Sequence, residues 1–435
     1  MKNILLKFRQ HPKYEIFINW GKLISITGGA QILIQAIGLI SGILIIRVLS
    51  VQEYAFYTLA NTMLGTMTVL ADSGIATGVM SQGGKAWQNK KKMGVVMATG
   101  LDLRKRFALA SFLVSIPILI YLLIRNGASW MMAFLIALAM VPAFYAALSD
   151  SLLEIVPKLN QSILPLQRNQ VEVGMGRLLL LGLTMFIFPW ALVAVLAGGI
   201  PRVWGNVGLR KIVYTMAEKE SKPDKEVRKD ILVLVRRLLP TSIYYCLSGQ
   251  ITIWLISVFG NTSALAQLGA LSRLSVILSI LNVIITTLIV PRFAKLASDK
   301  YLLLKRFLQI MILLVLSLFI VIAFVYIFPA PILWILGDAY KGLSYELFLT
   351  VISSCIGLMT GVVFNLYSSR GWAISPILSI SISVIAIIAF ASVLDLSTLK
   401  GVLFFNIATG IIVLFQTILF CIYNILLVKN KMQTI

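Results

Sequence analysis

The chain has 435 residues, of which 59% are hydrophobic and only 12% charged, and its formal net charge is +22. Soluble domains are about 45–50% apolar and about 25% charged, so this composition excludes an ordinary water-soluble enzyme and a disordered protein. A nucleic-acid-binding surface would need far more polar residues than remain here. The composition therefore predicts a polytopic membrane protein with no nucleic-acid partner.

Long, continuously apolar runs predict about twelve transmembrane helices, because each crossing of the bilayer core needs about 20 apolar residues. The fifth and sixth spans are separated only by Phe188, Pro189 and Trp190, which must form a tight turn. The predicted spans are 21–46, 54–80, 107–124, 130–153, 176–190, 191–208, 239–259, 264–290, 307–328, 345–367, 374–394 and 401–427.

The positive residues predict the topology, since short cytoplasmic loops are enriched in Lys and Arg. Nearly all of the 38 Lys and Arg residues fall on the side of the spans that carries both termini, including Arg104 and Arg177. Both termini are therefore predicted to be cytoplasmic. The exceptions are four cations on the outer side, Arg47, Arg125, Lys341 and Lys400, and two inside spans, Arg202 and Arg273.

The longest hydrophilic stretch, residues 209–238, divides the predicted spans into six and six. We interpret it as a cytoplasmic linker between an N-terminal lobe, residues 1–208, and a C-terminal lobe, residues 239–435. The predicted fold is thus an all-α integral membrane protein of two six-helix bundles around a central cavity. The outer loops are short, which leaves no extramembrane domain large enough for an enzyme active site.

Four spans carry small or polar residues at helical spacing, where a lipid-facing helix would be uniformly apolar. Such stripes are typical of close helix packing or of a hydrated cavity, in which the amides Gln31, Gln35, Asn61, Asn282 and Asn365 would bind substrate. The stripes are Gly28, Gln31, Gln35, Gly38 and Gly42; Asn61, Gly65, Thr68, Asp72 and Ala76; Ser272, Ser275, Ser279, Asn282 and Thr286; and Thr350, Ser354, Gly357, Gly361 and Asn365.

Arginines inside spans are candidates for function, because an ionisable residue in the bilayer costs ~2.5–3.5 kcal/mol on insertion scales. Arg273 is predicted roughly 13 Å from the outer end of its span at 1.5 Å per residue. It is either an anion contact or one half of a structural pair. Arg202 follows Pro201, which favours a helix kink with a cation beside it, and Arg202 is a further candidate for substrate binding. Arg47, near the outer surface, either binds substrate or pairs with Glu53.

Acidic residues give fewer candidates. Asp72 lies near the inner end of the second span, where it would cap a helix break before Gly74, act in an inner gate, or bind a coupling cation such as Na⁺ or H⁺. Asp150 and Glu154, one helical turn apart, are predicted to face a cytoplasmic loop. No Cys/His cluster has metal-ligand spacing, and no glycine motif would cradle a phosphate, so no resident cofactor is predicted.

Two regions of the chain resemble a known family. LISGILIIRVLSVQEYAFYTLANTM, followed by LADSGIATGVM, resembles the opening of Wzx-type polysaccharide-biosynthesis flippases of the multidrug/oligosaccharidyl-lipid/polysaccharide superfamily. FGNTSALAQLGALSRLSVIL, closed by IVPRFAKL, resembles the second lobe of these proteins. Ala55 departs from the family pattern, which has glycine there. The matching residues are Arg47, Leu49, Ser50, Glu53, Tyr54, Asp72 and Gly74.

The resemblance implies two six-helix bundles that form a V-shaped cavity and exchange between inward- and outward-open states. It implies a substrate, an O-antigen, capsule or exopolysaccharide repeat unit on a polyisoprenyl diphosphate, moved from the cytoplasmic to the periplasmic leaflet of the bacterial inner membrane. Arg273 matches a cationic position on the family's eighth helix. Expected partners are membrane lipids and the polysaccharide polymerase and chain-length machinery, with the protein itself a monomer and not an enzyme.

Other functions compete with this interpretation. A cation-coupled multidrug exporter of the same superfamily would carry buried carboxylates, whereas the deep charges predicted here are arginines. An oligosaccharide polymerase or ligase would need catalytic residues on larger outer loops. A lipid scaffold or a peptide exporter is the remaining alternative.

Overall fold

The protein is described by a computed structural model. It describes the backbone of residues 12–160, 162–275, 299–370, 372 and 374–428, together with scattered positions between 278 and 296. Side chains are described from residue 29 onward, apart from Gln31 and several positions between 237 and 247. In this part of the chain the structure is helical and contains no strand.

The helices follow one another with short connections. The first predicted lobe and linker give α1 (Pro12–Val48), α2 (Val51–Asp72), α3 (Ile75–Ala86), α4 (Lys90–Arg125), α5 (Trp130–Leu153), α6 (Ile155–Leu159), α7 (Ile163–Met185) and α8 (Ala191–Tyr214). The remainder gives α9 (Lys225–Phe259), α10 (Thr262–Leu274), α11 (Lys300–Ile327), α12 (Pro329–Leu336), a 3₁₀ turn (Asp338–Tyr340), α13 (Ser344–Ser368), α14 (Pro376–Val393) and α15 (Leu399–Leu427).

The chain is a multi-pass membrane protein. Within the described residues, seven helices are long and apolar enough to cross a bilayer, and the pair α2 and α3, bent by 46°, forms an eighth candidate. The tight turn predicted at Phe188 to Trp190 is present between α7 and α8. The full set of twelve spans and the cytoplasmic termini stay predictions.

Several predicted spans differ from the helices of the structure, among them the third and the eighth. The third was expected to begin at residue 107, but α4 begins at Lys90 and continues unbroken to Arg125. The eighth was expected to be continuous over 264–290. In the structure α10 ends at Leu274 and Ser275 forms a turn, and the next described positions, Leu278, Leu281 and Asn282, are again helical. In the first case polar residues begin a helix; in the second a turn interrupts an apolar sequence.

The chain divides into two compact units. Unit 1 comprises residues 1–48, 59–124 and 128–247, and unit 2 comprises 49–58, 125–127 and 248–435. The core of unit 1 includes Ile75, Met93 and Leu152, all fully buried. In chain order, unit 2 therefore takes two short segments from the first half of the sequence, one at the start of α2 and one at the end of α4.

Hydrogen bonds fix the segment 125–127 within unit 2. The guanidinium of Arg125 donates from Nε to the backbone oxygen of Val258 over 2.8 Å. The Asn126 amide donates to the Ser257 hydroxyl over 2.9 Å, and the Thr262 hydroxyl donates to the backbone oxygen of Asn126 over 3.1 Å. The bond from Arg125 satisfies a carbonyl in the last turn of α9 that the helix itself leaves without a partner.

The break between α2 and α3 is built around Asp72. Ser73 and Gly74 both have positive φ angles, 43° and 91°, which end the first helix. The Asp72 carboxylate then accepts a hydrogen bond from the Ala76 backbone N–H over 3.0 Å, at the start of α3. The same oxygen pairs with the guanidinium of Arg104. Of the three roles expected for Asp72, capping of the helix break is the one that the geometry displays.

The sequence suggested that Arg104 is a loop cation, and this prediction is wrong. Arg104 lies inside α4 with only 3% of its surface exposed, and it also donates to the backbone oxygen of Leu148 over 2.7 Å. The error arose because the polar residues before it resemble a loop, whereas α4 begins already at Lys90. Arg177, also expected at the cytoplasmic side, lies well inside α7 and is partly buried.

We expect Asp72→Asn to lower the unfolding free energy of unit 1 by about 3 kcal/mol, because removing one partner leaves a buried guanidinium without its counter-charge. The amide retains an oxygen that caps α3, so the change tests the charge alone. The measurement is thermal or denaturant unfolding of the purified protein. The matched control is Asp338→Asn, whose pair with Lys341 is exposed and contributes little. Equal stability of the two variants would contradict the assigned role of the pair.

Candidate functional site

Arg273 occupies the last turn of α10, where the helix ends at Leu274. The C-terminal end of a helix carries a partial negative charge, which stabilises a nearby cation. The backbone N–H of Ser275 donates to two carbonyls near this end, those of Ser272 and of Arg273 itself. The helix end thus partly compensates the charge of a side chain that is itself partly buried.

Two tyrosines of α2 lie against Arg273. Tyr54 and Tyr57 are three residues apart and therefore share one face of the helix. The Arg273 guanidinium lies beside both of their hydroxyl groups. The Tyr54 side chain is only 1% exposed, and its hydroxyl makes no regular hydrogen bond to any described residue. A buried phenol without a regular partner is costly, which marks this position as unusual.

A glycine brings α2 close enough for this contact. A Cβ atom at Gly269 would lie 2.5 Å from Oγ1 and 2.8 Å from Cγ2 of Thr58. Gly269 is one helical turn before Arg273 on α10, and Thr58 is one turn after Tyr54 on α2. The absence of a side chain at Gly269 is therefore what allows the tyrosines to reach the arginine.

Tyr340, from the 3₁₀ turn after α12, adds a third phenol. It is buried and lies within electrostatic range of Tyr54. Burial raises the pKa of Tyr340 above its usual range, so its hydroxyl stays protonated at physiological pH. This phenol is therefore neutral and does not offset the positive charge of Arg273.

The charge of Arg273 also lacks an acidic partner in the described part of the chain. Among the residues that the structure describes, no Asp or Glu forms an ion pair with it. By contrast, six carboxylates of the described helices each form an ion pair with an Arg or Lys. These six are Asp72, Asp102, Asp150, Glu154, Glu172 and Glu346.

Arg202, in contrast, has a counter-ion. Its Nε donates to Asp150 over 2.8 Å, and the other oxygen of Asp150 accepts from the Asn206 amide over 2.7 Å. The prediction that Asp150 faces a cytoplasmic loop is therefore wrong, because its partners lie on α8. Its neighbour Glu154 pairs with Lys158 and accepts from the Gln170 amide over 2.9 Å. The structure thus shows Arg202 as one half of a structural ion pair.

The remaining candidates are distributed over both units. In unit 1, Arg47 is exposed at the end of α1, Gln35 is partly buried and Asn61 is exposed. In unit 2, Asn282 and Asn365 are partly buried. The Gln31 side chain lies outside the described residues.

The polar stripes are of two kinds. The hydroxyls of Ser275 and Ser354 lie 2.6 Å apart, so at this point two stripes pack directly against each other. By contrast, a Cβ atom at Gly357 or Gly361 would meet no described atom within 4 Å. Close packing thus accounts for the serines but not for these two glycines.

Comparison with solved structures identifies the fold. An inward-facing multidrug resistance transporter of the MATE family, in the MOP superfamily, matches with a TM-score of 0.73 over 92% of this chain and 96% of the other, at 14% identity. The lipid II flippase MurJ matches with a TM-score of 0.70 over 91% and 86%, at 12% identity. This chain has the fold of MOP-superfamily transporters.

A third MOP-superfamily transporter, from Pyrococcus furiosus, matches with a TM-score of 0.57 over 96% of this chain and 97% of the other, at 12% identity. No protein-family model and no curated protein matches the sequence. Each of these three structures is a transporter or a flippase. The fold is shared by multidrug exporters and a lipid II flippase, so the fold alone does not assign a function to this chain.

We expect Gly269→Ala to destabilise the contact between α2 and α10 by about 1–3 kcal/mol, the usual cost of overpacking. Adding Thr58→Ala to Gly269→Ala should restore most of the lost stability. Of the three Thr58 atoms near the new methyl group, only Cβ, at 3.3 Å, then remains. The measurement is a double-mutant cycle of thermal unfolding. Gly361→Ala is the control and should not destabilise, since alanine favours a helix. Additive losses of stability from Gly269→Ala and Thr58→Ala would contradict the close approach of α2 and α10.

Proposed function

We propose that the protein is a flippase for oligosaccharides linked to a polyisoprenyl diphosphate, with Arg273 as a contact for the diphosphate. The observation that carries the proposal is a partly buried arginine with no acidic partner among the described residues, beside a buried tyrosine hydroxyl that makes no regular hydrogen bond there. Both groups donate hydrogen bonds, and a diphosphate offers only acceptors and negative charge.

The chemistry favours an anion at this position. A guanidinium binds phosphate oxygens through paired, charge-assisted hydrogen bonds. The attraction between opposite charges increases as the surrounding dielectric constant falls, so a cation away from bulk water binds an anion more strongly than one at the surface. The phenol of Tyr54 would donate a further hydrogen bond once the anion is present.

The ion pairs of the helices argue against a multidrug exporter. A transporter of organic cations needs a carboxylate that is free to bind its substrate or a coupling cation. In the described helices Asp72 and Asp150, the acidic residues singled out in the sequence, are each paired with an arginine. This observation favours an anionic substrate over the cationic one, although MATE exporters share the fold.

The other sequence candidates enter the proposal in supporting roles. We assign sugar hydroxyls to the amides of Gln31, Gln35, Asn61, Asn282 and Asn365, because amides donate and accept hydrogen bonds. Two further arginines, Arg47 and Arg202, would bind near the substrate, the latter only after its pair with Asp150 opens. Asp72 would act in an inner gate through its pair with Arg104, or through a coupling cation.

The cellular setting is proposed from the same substrate. The protein would act in the bacterial inner membrane, with lobes at residues 1–208 and 239–435 that alternate in access around a central cavity. The product of the exchange would be a repeat unit of O-antigen, capsule or exopolysaccharide in the outer leaflet. That product must be consumed by a polymerizing reaction, so a polysaccharide polymerase and its chain-length machinery are the expected partners of a monomeric flippase.

We expect Arg273→Ala to abolish movement of a fluorescent polyisoprenyl-diphosphate oligosaccharide between leaflets of reconstituted vesicles. Arg273→Lys should retain part of the activity, because the charge remains while the paired donors are lost. The matched control is Arg168→Ala, which removes an arginine that is 81% exposed and paired with Glu172. It should flip substrate normally.

The assay also discriminates between the two functions. The same vesicles are tested for uptake of a fluorescent organic cation, with all variants reconstituted to equal protein content. Cation transport by the wild-type protein that survives Arg273→Ala, together with no movement of the lipid-linked oligosaccharide, would replace the flippase proposal by the multidrug exporter.

We expect Tyr54→Phe to lower the rate of flipping while leaving the protein as stable as the wild type or more stable. Removal of a buried hydroxyl without a regular partner relieves a desolvation cost, so a purely structural role predicts no loss of activity. The readouts are the leaflet-exchange rate and the unfolding midpoint of the same preparation. An unchanged rate would remove Tyr54 from the site and leave Arg273 as its only tested donor.

A further inference from the structure

A cavity in unit 2 lies outside the site around Arg273. Its volume is about 460 Å³, and it is lined by Ile289, Phe293, Leu296, Arg306, Gln309, Ile310 and Leu313. Five of these seven residues are aliphatic or aromatic, and neither of the other two is acidic. The size falls within the range of ~300–1,000 Å³ that is usual for small-molecule sites.

The polar and apolar residues of this cavity are separated along α11. Arg306 lies near the start of the helix, and Leu313 follows at a distance of roughly 10 Å along the axis at 1.5 Å per residue. The first turns of α11 also carry Lys300 and Lys305, whereas residues 310–316 are continuously apolar. The cationic end of the cavity therefore coincides with the cationic end of a helix that is long and apolar enough to span a membrane.

Arg306 is exposed and lines this cavity, and it has no acidic partner in the described part of the chain. Its Nη1 donates to the side-chain oxygen of Gln309 over 3.0 Å. Among the described residues, no Asp or Glu forms an ion pair with Arg306. The contact with Gln309 leaves the remaining guanidinium donors, and the amide N–H groups of Gln309, available to a ligand.

Further groups beside the lining residue Leu296 suit a lipid headgroup. Arg370 donates from Nη1 to the backbone oxygen of Leu296, a lining residue, over 2.7 Å. Its guanidinium also lies 6.0 Å from the centre of the Trp372 ring. Tryptophan is enriched at the membrane–water interface, so its position here agrees with headgroup depth.

We propose that this cavity binds an anionic phospholipid of the cytoplasmic leaflet, with the phosphate on Arg306 and Gln309 and an acyl chain along Ile310 and Leu313. Basic pockets between transmembrane helices on the cytoplasmic side are known to suit anionic headgroups. Charge complementarity decides the occupant, because the part of the lining that the structure describes has one cation, no acid and, apart from Gln309, an apolar surface. The proposal does not depend on the flippase function, since the cavity is separate from Arg273.

The test is a titration of the purified full-length protein with synthetic phosphatidylglycerol and, separately, phosphatidylcholine, followed by native mass spectrometry. We expect one phosphatidylglycerol to bind more tightly than phosphatidylcholine. Arg306→Gln should weaken phosphatidylglycerol binding by roughly tenfold, in the range expected for a hydrogen bond to a charged group. Leu313→Trp, which fills the apolar end without changing charge, should also weaken it.

Lys305→Gln is the matched control, because it removes a neighbouring exposed cation that does not line the cavity. It should bind phosphatidylglycerol as the wild type does. All variants are compared at equal helix content and with the same elution volume, so a misfolded protein is recognised. Equal loss in Arg306→Gln and Lys305→Gln, or equal binding of an uncharged polyisoprenol in place of the phospholipid, would overturn the proposal.

Discussion

A charge inside a bilayer is unfavourable unless a counter-charge or hydrogen bonds compensate it. Unit 1 meets this constraint with ion pairs: Asp72 with Arg104 at the break between α2 and α3, and Asp150 with Arg202 between α5 and α8. The first pair lies where a helix breaks, and the second joins the faces of two helices. The candidate site in unit 2 depends on Arg273, whose charge is compensated in a different way.

Arg273 is compensated by a helix C-terminus and by neutral phenols, which stabilise a cation without cancelling its charge. Such an arrangement leaves the positive charge of Arg273 without neutralisation by the described residues, and an anionic ligand would neutralise it. Tyr54 adds a buried hydroxyl ready to donate. The carboxylates of the described ion pairs are already neutralised by their partners. This difference connects the packing of the helices to the choice of an anionic substrate.

The sequence was sufficient for the membrane class and for most helices of the described chain. Hydrophobic runs and positive residues report these features directly. The sequence could not reveal that Arg104 is buried, because its partner Asp72 is distant in the chain and the residues before it resemble a loop. Nor could it reveal that Tyr54 lies beside Arg273, since this depends on the close approach of Thr58 to Gly269.

The most direct test is the charge dependence of binding at Arg273. Affinities of the purified protein for a polyisoprenyl diphosphate and for the uncharged polyisoprenol of equal length are measured for the wild type and for Arg273→Ala. A contact with the diphosphate predicts that the wild type prefers the charged ligand and that the variant loses this preference while binding the alcohol as before. An unchanged preference in the variant would contradict the account.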